Sequence, residues 1–219
     1  MRVSETYGKE DIMPITSHFH IGYLLLLPYL DEVLQDGSTR MAHLLKQLQY
    51  KNIKTSIDLV TDEGNLYKKV VIPTLKYVNY LIINEIEASR IAEIELFEDN
   101  KLNLERLKLI SIKLKALGVQ DLIVIHAPEF GMIYDGVNHV VVPSLNLPKS
   151  FIKSSVGAGD GFCAGILYGI QNNYTYEDML RLASCVAAGV LNSETSQSHI
   201  TLLNNFMELE KKYGRKKLC

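Results

Sequence analysis

Short runs of consecutive apolar residues alternate along the chain with longer segments of helical periodicity, and this alternation limits the fold more than any other feature. Such alternation is typical of a parallel sheet with helices packed on its faces. Buried parallel strands are apolar throughout rather than at every second position. The segments LIVI at 122–125 and YLII at 80–83 have this character. The sequence therefore predicts an α/β fold with a mostly parallel central sheet.

Turn residues and helix-stop residues set the boundaries of the predicted elements. Asp135-Gly136 separates two apolar runs, which indicates a β-hairpin, and Gly118 follows a helical pattern where a helix would end. The predicted strands are 20–27, 55–60, 80–83, 122–126, 131–134 and 139–142. The predicted helices are 39–50, 85–94, 103–117, 157–172 and 176–191. Because no linker or repeat divides these elements, we expect residues 1–219 to form a single domain with a three-layer α/β/α arrangement.

The charge balance excludes several classes of partner. Lys and Arg number 23 against 25 Asp and Glu, so the chain has no general attraction for nucleic acid or acidic lipid. The basic residues at 211–217 are predicted to form a solvated helix end. Three cysteines without a CxxC pair indicate a reduced compartment and no zinc site. The longest apolar stretch, 21–30, is far shorter than the ~20 residues that cross a bilayer. We therefore expect a cytoplasmic protein without membrane contact.

The segment SVGAGDGF at 155–162 carries the most information about chemistry. It follows a loop bounded by prolines and opens an apolar helix. Glycines let a ligand approach the backbone, and the first N–H groups of a helix lack intrahelical partners, so such a terminus can bind phosphate. Asp160 in the first turn could accept a proton from an attacking hydroxyl, as phosphoryl transfer requires. The alternative is a plain glycine-rich turn in which Asp160 only complements the helix dipole.

Two motifs in this order resemble those of the ribokinase-like (PfkB) family of carbohydrate kinases. The segment NEIE at 84–87, at the end of an apolar strand, is similar to the family's N-x-x-E motif. The segment GAGD at 157–160 is similar to part of the family's C-terminal signature. Walker A and Rossmann glycine motifs are both absent. The resemblance extends from about His18 onward and implies a ribokinase-like fold.

The resemblance also implies an activity, the ATP-dependent phosphorylation of a hydroxyl group on a sugar or a related small molecule. Asp160 matches the family's catalytic base, which takes the proton from the acceptor hydroxyl. Gly157, Ala158 and Gly159 match the anion hole, whose backbone N–H groups stabilise the charge on the transferring phosphoryl group.

The resemblance implies roles for further site residues, and each of these roles has an alternative. Asn84 and Glu87 match positions that arrange Mg²⁺ and its waters, and the alternative for Glu87 is a solvated acid on a helix face. His126 either contacts phosphate or ends a strand. Ser184 falls where relatives contact adenine, or it is a small packing residue. Asp58 either faces the ligand crevice at the end of its strand or forms an Asx turn.

The sequence departs from the family pattern in two places. Ser154-Ser155 stands where relatives have Asp-Thr, which counts against a requirement for a monovalent cation. The N-terminal third of the usual family chain, with its lid sheet and most of the sugar-recognition surface, has no counterpart. We therefore expect a truncated ribokinase-like domain with the lid sheet absent. The oligomeric state stays open, with a homodimer as one alternative.

Two other functions compete with the kinase. One is a non-catalytic, truncated relative that binds nucleotide or phosphate and has a regulatory or partner-binding role. The other is an α/β dehydrogenase or hydrolase that uses the glycine turn differently. The absence of GxGxxG and GxSxG motifs counts against the second of these.

Overall fold

The computed structural model describes residues 16–62, 66–99, 101–193 and 203–218, and within them a six-stranded sheet forms the centre of the fold. The strands are β1 (His18–Leu24), β2 (Lys54–Leu59), β3 (Tyr80–Asn84), β4 (Phe97–Glu98), β5 (Lys101–Leu102), β6 (Leu122–His126), β7 (Phe130–Tyr134) and β8 (His139–Pro143). The central sheet has the order β1-β2-β3-β6-β7-β8, while β4 and β5 form a separate hairpin. Strand β2 is parallel to β1 and β3, and β7 is antiparallel to β8. The predicted α/β fold with a mostly parallel sheet is therefore confirmed.

Side-chain caps and apolar faces account for the helices. Thr39 accepts a hydrogen bond from the Ala42 N–H at 3.0 Å, and Thr175 accepts one from the Asp178 N–H at 3.1 Å. Each cap satisfies a backbone donor that the first helical turn leaves without a partner. The described helices are α1 (Arg40–Tyr50), α2 (Ile72–Leu75), which continues a π-helical turn (Tyr67–Val71), α3 (Glu85–Ala92), α4 (Leu104–Ala116), α5 (Ala158–Gln171), α6 (Tyr176–Leu191) and α7 (Leu203–Tyr213).

Backbone contacts group the chain into two compact units. The first covers the described parts of Met1–Leu96 together with Leu104–Ile123, and the second covers Phe97–Asn103 and the described parts of Val124–Cys219. Each unit has its own buried apolar side chains. In the first, these include Leu45, Ile57 and Leu81, and in the second they include Phe130, Ile166 and Leu180. The expectation of one domain over residues 1–219 stays a prediction.

In the second unit, a row of glycines brings helix α5 into close contact with helix α6. A Cβ atom built on Gly165 would lie 2.5 Å from the Cα of Ala183, and one built on Gly169 would lie 2.6 Å from the Cγ of Met179. A Cβ atom on Gly161 would lie 2.9 Å from a side-chain carbon of α6. Real Cβ contacts are longer than these distances, so the row leaves no room for side chains. The spacing of the two helices is therefore set by backbone contact at Gly165 and by contact of the α5 backbone with α6 side chains at Gly161 and Gly169.

Two predicted boundaries differ from the structure for the same reason. The predicted strand 20–27 ends at Leu24, because Tyr23 and Leu25 have φ angles of 60° and 85°. The predicted helix 85–94 ends at Ala92, because Glu93 has a φ of 53°. Left-handed backbone interrupts both strand pairing and helix propagation. The hairpin β4–β5 and the helical turn at 67–75 were not among the predicted elements, and only the end of helix α7 was predicted.

The prediction of a solvated basic segment at 211–217 is wrong for one residue. The side chain of Arg215 is only 15% exposed and lies 2.7 Å from a carboxylate oxygen of Glu210. Lys211, by contrast, lies on the exposed surface of α7, where it pairs with Glu208. Tertiary pairing, which the charge pattern does not reveal, distinguishes Arg215 from its basic neighbours.

Candidate active site

The glycine-rich turn before α5, in the second compact unit, adopts a conformation that depends on glycine. Gly157 is the N-cap of α5 and has a φ of 80°, in the left-handed region. The Ala158 N–H donates to the Ser155 carbonyl at 3.3 Å, and the Gly161 N–H makes the first helical bond, to the Gly157 carbonyl, at 2.9 Å. Helical bonding thus begins at Gly161. The Gly159 N–H precedes it, where a helix terminus offers donors to an anion.

Asp160 lies in the first turn of α5 and is exposed. Its carboxylate is therefore not turned into the core. The kinase hypothesis requires such an accessible carboxylate. The positive end of the helix dipole also favours a negative group in this turn. The position suits a proton acceptor, and the role of Asp160 as catalytic base stays a prediction.

The ring of His126, at the end of β6, packs against the start of the site helix. Its centroid lies 4.8 Å from that of the Phe162 ring. A Cβ atom on Gly159 would lie 3.5 Å from the Cε1 of His126, so the imidazole lies beside the first turn of α5. The structure thus brings together two residues that the sequence predicted for phosphate contact. That contact itself stays a prediction.

Asn84 and Glu87, in the first compact unit, form a reciprocal capping box at the start of α3. The Glu87 N–H donates to the Asn84 side-chain oxygen at 2.8 Å, and the Asn84 N–H donates to the Glu87 Oε2 at 3.0 Å. Thr61 completes the group, because its hydroxyl donates to the Glu87 Oε1 at 3.0 Å and accepts from the Asn84 Nδ2 at 3.2 Å. The N-x-x-E motif therefore has a structural role in fixing the helix start.

The Glu87 carboxyl group is almost fully buried, with 3% of the residue exposed. The alternative that Glu87 is a solvated acid on a helix face is therefore wrong. Burial raises the pKa of Glu87 to about 7, although the hydrogen bonds from Asn84 and Thr61 oppose the rise. A nearby cation would favour the ionised form of such a group. The role of Asn84 and Glu87 in arranging Mg²⁺ stays a prediction.

Asp58, at the end of β2, is anchored to the neighbouring strand. Its Oδ1 accepts a hydrogen bond from the Tyr23 N–H at 2.5 Å, and its Oδ2 lies 3.6 Å from the His20 Nε2. These contacts differ from an Asx turn, in which the carboxylate binds the backbone that follows it. His20 and His18 each place a ring nitrogen 2.8 Å from the Ser56 hydroxyl, so Ser56 links the two rings.

Ser184 is buried in α6, and protein atoms use both hydrogen-bonding functions of its hydroxyl. The hydroxyl donates to the Arg181 carbonyl at 3.0 Å and accepts from an Nη atom of Arg215 at 3.0 Å. The predicted adenine contact at Ser184 stays a prediction.

Sequence reasoning missed two residues of these groups, Thr61 and Arg215. Thr61 lies just after β2, at the carboxyl end of a parallel strand, where side chains of neighbouring strands meet. That position is a signal that the sequence contained. Arg215 gave no comparable signal, because two of its partners, Pro143 and Ser184, are distant along the chain.

Comparison with known proteins identifies the family. The pfkB family carbohydrate kinase profile matches residues 18–201. A crystal structure of a protein from Clostridium perfringens superposes with a TM-score of 0.68 at 20% identity, over 91% of this chain and 56% of that one. Arabidopsis thaliana ribokinase, complexed with ribose and ATP, gives a TM-score of 0.65 at 16% identity, over 78% of this chain and 52% of that one. The chain belongs to the pfkB family of carbohydrate kinases.

Escherichia coli phosphofructokinase-2 is also similar, with a TM-score of 0.63 at 16% identity over 80% of this chain and 52% of that one. The chain thus spans about half the length of the solved structures that it matches. Among the described residues, no helix combines the length and the apolar character that spanning a membrane would need.

Proposed function

We propose that the chain transfers the γ-phosphate of ATP to a hydroxyl group of a sugar or a related small molecule. One observation carries the proposal: Asp160 is exposed in the first turn of a helix that begins at a left-handed glycine. The family match over residues 18–201 supports the same reaction class. Arabidopsis ribokinase, which was solved with ribose and ATP, is a precedent for both substrates.

In the proposed reaction, the Asp160 carboxylate accepts the proton of the acceptor hydroxyl as its oxygen bonds to phosphorus and the bond to the ADP oxygen breaks. The N–H groups at residues 157–159 would hold the phosphoryl oxygens, because the αL glycine and the missing side chain at Gly159 leave the backbone accessible. The Ala158 N–H would exchange its 3.3 Å bond to the Ser155 carbonyl for a bond to one of these oxygens. His126, beside Gly159, and Ser184 are proposed nucleotide contacts.

The residues at the start of α3 are suited to binding the water molecules of a magnesium ion. Glu87 is a buried carboxyl group held by Asn84 and Thr61, and a divalent cation would favour its ionised form. Asn84 and Glu87 would act through metal-bound waters, and Mg²⁺ would neutralise phosphate charge. The proposal thus includes ATP as the phosphate donor, Mg²⁺ as the metal ion and the cytoplasm as the location of the protein.

Substitution of Asp160 by Asn tests the role of its carboxylate. The amide cannot accept the proton, so we expect Asp160→Asn to lower Mg²⁺-dependent ADP release by 10²- to 10⁴-fold across a panel of sugars and nucleosides. Asp178→Asn is the matched control, because Asp178 is also an exposed acid in the first turn of a helix. Equal turnover by the wild type and Asp160→Asn would remove Asp160 from the mechanism.

Calorimetry tests the competing function, a non-catalytic binding role. ATP binding without phosphorylation of any compound in the panel would support that role instead. Absence of ATP binding would contradict both functions.

A further inference from the structure

The residues that follow α7 lie along the loop that leads into the site helix. We call residues 144–156, between β8 and α5, the connector, and residues 213–216 the C-terminal clamp. The Asn146 N–H donates to the Gly214 carbonyl at 3.0 Å, and the Lys216 N–H donates to the Ser144 carbonyl at 2.9 Å. Gly214 has a φ of 62°, which turns the chain after α7. The clamp thus pairs with the start of the connector as a short strand would.

Arg215 is the most highly connected residue of the clamp. One Nη atom donates to the Pro143 carbonyl at 2.6 Å and to the Ser184 hydroxyl at 3.0 Å. The Nε atom donates to the Glu210 carboxylate at 2.7 Å, and both side chains of this pair are only 15% exposed. The guanidinium therefore links the end of β8, the middle of α6 and the last turns of α7.

Contacts continue along the connector toward the site. The Phe151 ring lies edge-on to the Tyr213 ring, with 5.1 Å between centroids. The Lys153 N–H donates to the Leu191 carbonyl, at the end of α6, at 2.8 Å. These contacts hold the connector from its first residues almost to Gly157, the N-cap of α5.

We propose that Arg215 is a positioning residue for the phosphate-binding turn. By tying the connector to α6 and α7, Arg215 fixes the direction from which the chain enters Gly157, and thereby the alignment of the N–H groups at 157–159. Helix α6 fixes the other side of the turn through its contact with the glycine row of α5. This inference rests on the proposed kinase function.

The chemistry of the clamp is specific to arginine. A guanidinium is planar and offers five N–H donors in fixed directions, so it can serve a carbonyl, a hydroxyl and a carboxylate at the same time. A lysine ammonium could keep the ion pair with Glu210 but not the whole set of bonds. A side chain without charge would leave the Glu210 carboxylate without its Arg215 partner in a partly buried position. Misplacing catalytic groups by about 1 Å can cost roughly 10²-fold in rate.

The experiment compares Arg215→Met and Arg215→Lys with the matched control Lys217→Met, since Lys217 is an exposed neighbour. Hydrogen exchange, followed by mass spectrometry, is measured in peptides covering 144–157. We expect exchange there to rise at least tenfold in Arg215→Met and less in Arg215→Lys, with exchange in α4 unchanged. In the kinase assay, we expect kcat to fall at least tenfold in Arg215→Met, with the KM of the acceptor within twofold of the wild type. Lys217→Met should match the wild type in both measurements.

Unchanged exchange in the connector would overturn the proposal, as would an unchanged kcat in a variant whose connector exchanges fast. Full rescue by Lys would also overturn it, because an ion pair alone would then suffice. If circular dichroism shows that Arg215→Met does not fold, Ser184→Ala removes one partner of the clamp and is expected to raise connector exchange two- to fivefold; no rise would contradict the clamp. Absence of kinase activity in the wild type would refute the proposed function, whereas the exchange data would still test the clamp.

Discussion

The buried carboxyl group of Glu87 predicts a measurable dependence of stability on pH. Its pKa is raised from 4.5 to about 7 in the folded chain, chiefly by burial. Because the folded state holds this proton more tightly than the unfolded state, the stabilisation is complete below pH 4.5. It is lost as the pH rises toward 7. At about 1.4 kcal/mol per pKa unit, the loss between pH 4 and pH 8 is about 3 kcal/mol.

The substitution Glu87→Gln isolates this contribution. A Gln side-chain oxygen can still accept the Asn84 N–H, so the helix start is retained while the titrating group is removed. We expect the two proteins to have similar free energies of unfolding at pH 4. The variant should become more stable than the wild type by about 3 kcal/mol at pH 8. Glu95→Gln is the matched control, because Glu95 is exposed.

Urea denaturation followed by far-ultraviolet circular dichroism measures the difference, since the chain has no tryptophan for fluorescence. Measurements at each half unit of pH from 4 to 8 should place the steepest change between pH 5 and 7. A difference between wild type and Glu87→Gln that stays constant with pH would refute the reasoning. So would a wild type that gains stability relative to the variant as the pH rises.

Three further predictions follow from packing, capping and burial. Gly165→Ala, which places a Cβ 2.5 Å from the Cα of Ala183, should destabilise the fold by about 1 to 3 kcal/mol in urea denaturation, and an unchanged midpoint would contradict the contact between α5 and α6. Thr39→Val removes the cap of α1 and should cost about 1 kcal/mol in the same assay, whereas a neutral result would show that the cap contributes nothing. Burial raises the pKa of the Cys185 thiol to about 11, so Cys185 should resist alkylation at pH 8 until urea unfolds the chain; rapid labelling of the native protein, located by peptide mapping, would argue against this burial.

The sequence predicted most of the central sheet and its helices because those elements have local signals. Residues 122–125 are apolar throughout, and β6 has the predicted bounds 122–126, since a strand buried on both faces needs no alternation. Helix α6 has the predicted bounds because Thr175 provides a cap and its apolar residues recur with helical spacing. These signals lie within a few residues of the element that they specify.

The remaining differences arose where the outcome depends on tertiary contacts or on unusual backbone. Nothing in the apolar run HIGYLLLL shows that Tyr23 and Leu25 adopt left-handed φ angles and end β1 early. The position of Glu87 in the N-x-x-E motif does not reveal its burial, which comes from the packing of α3. Arg215 acquires its role only when α7 brings it to Pro143 and Ser184.

The three glycines at 161, 165 and 169 couple the site helix α5 to helix α6, so that the two helices move together. The backbones of α5 and α6 are in direct contact at Gly165, and the α5 backbone contacts the Val190 and Met179 side chains at Gly161 and Gly169, so the two helices cannot approach further. A ligand that moves the first turn of α5 toward α6 must therefore also displace α6. Substitutions on the face of α5 that points away from α6 would alter the groups that its first turn presents to a substrate. The distance between α5 and α6 would stay the same.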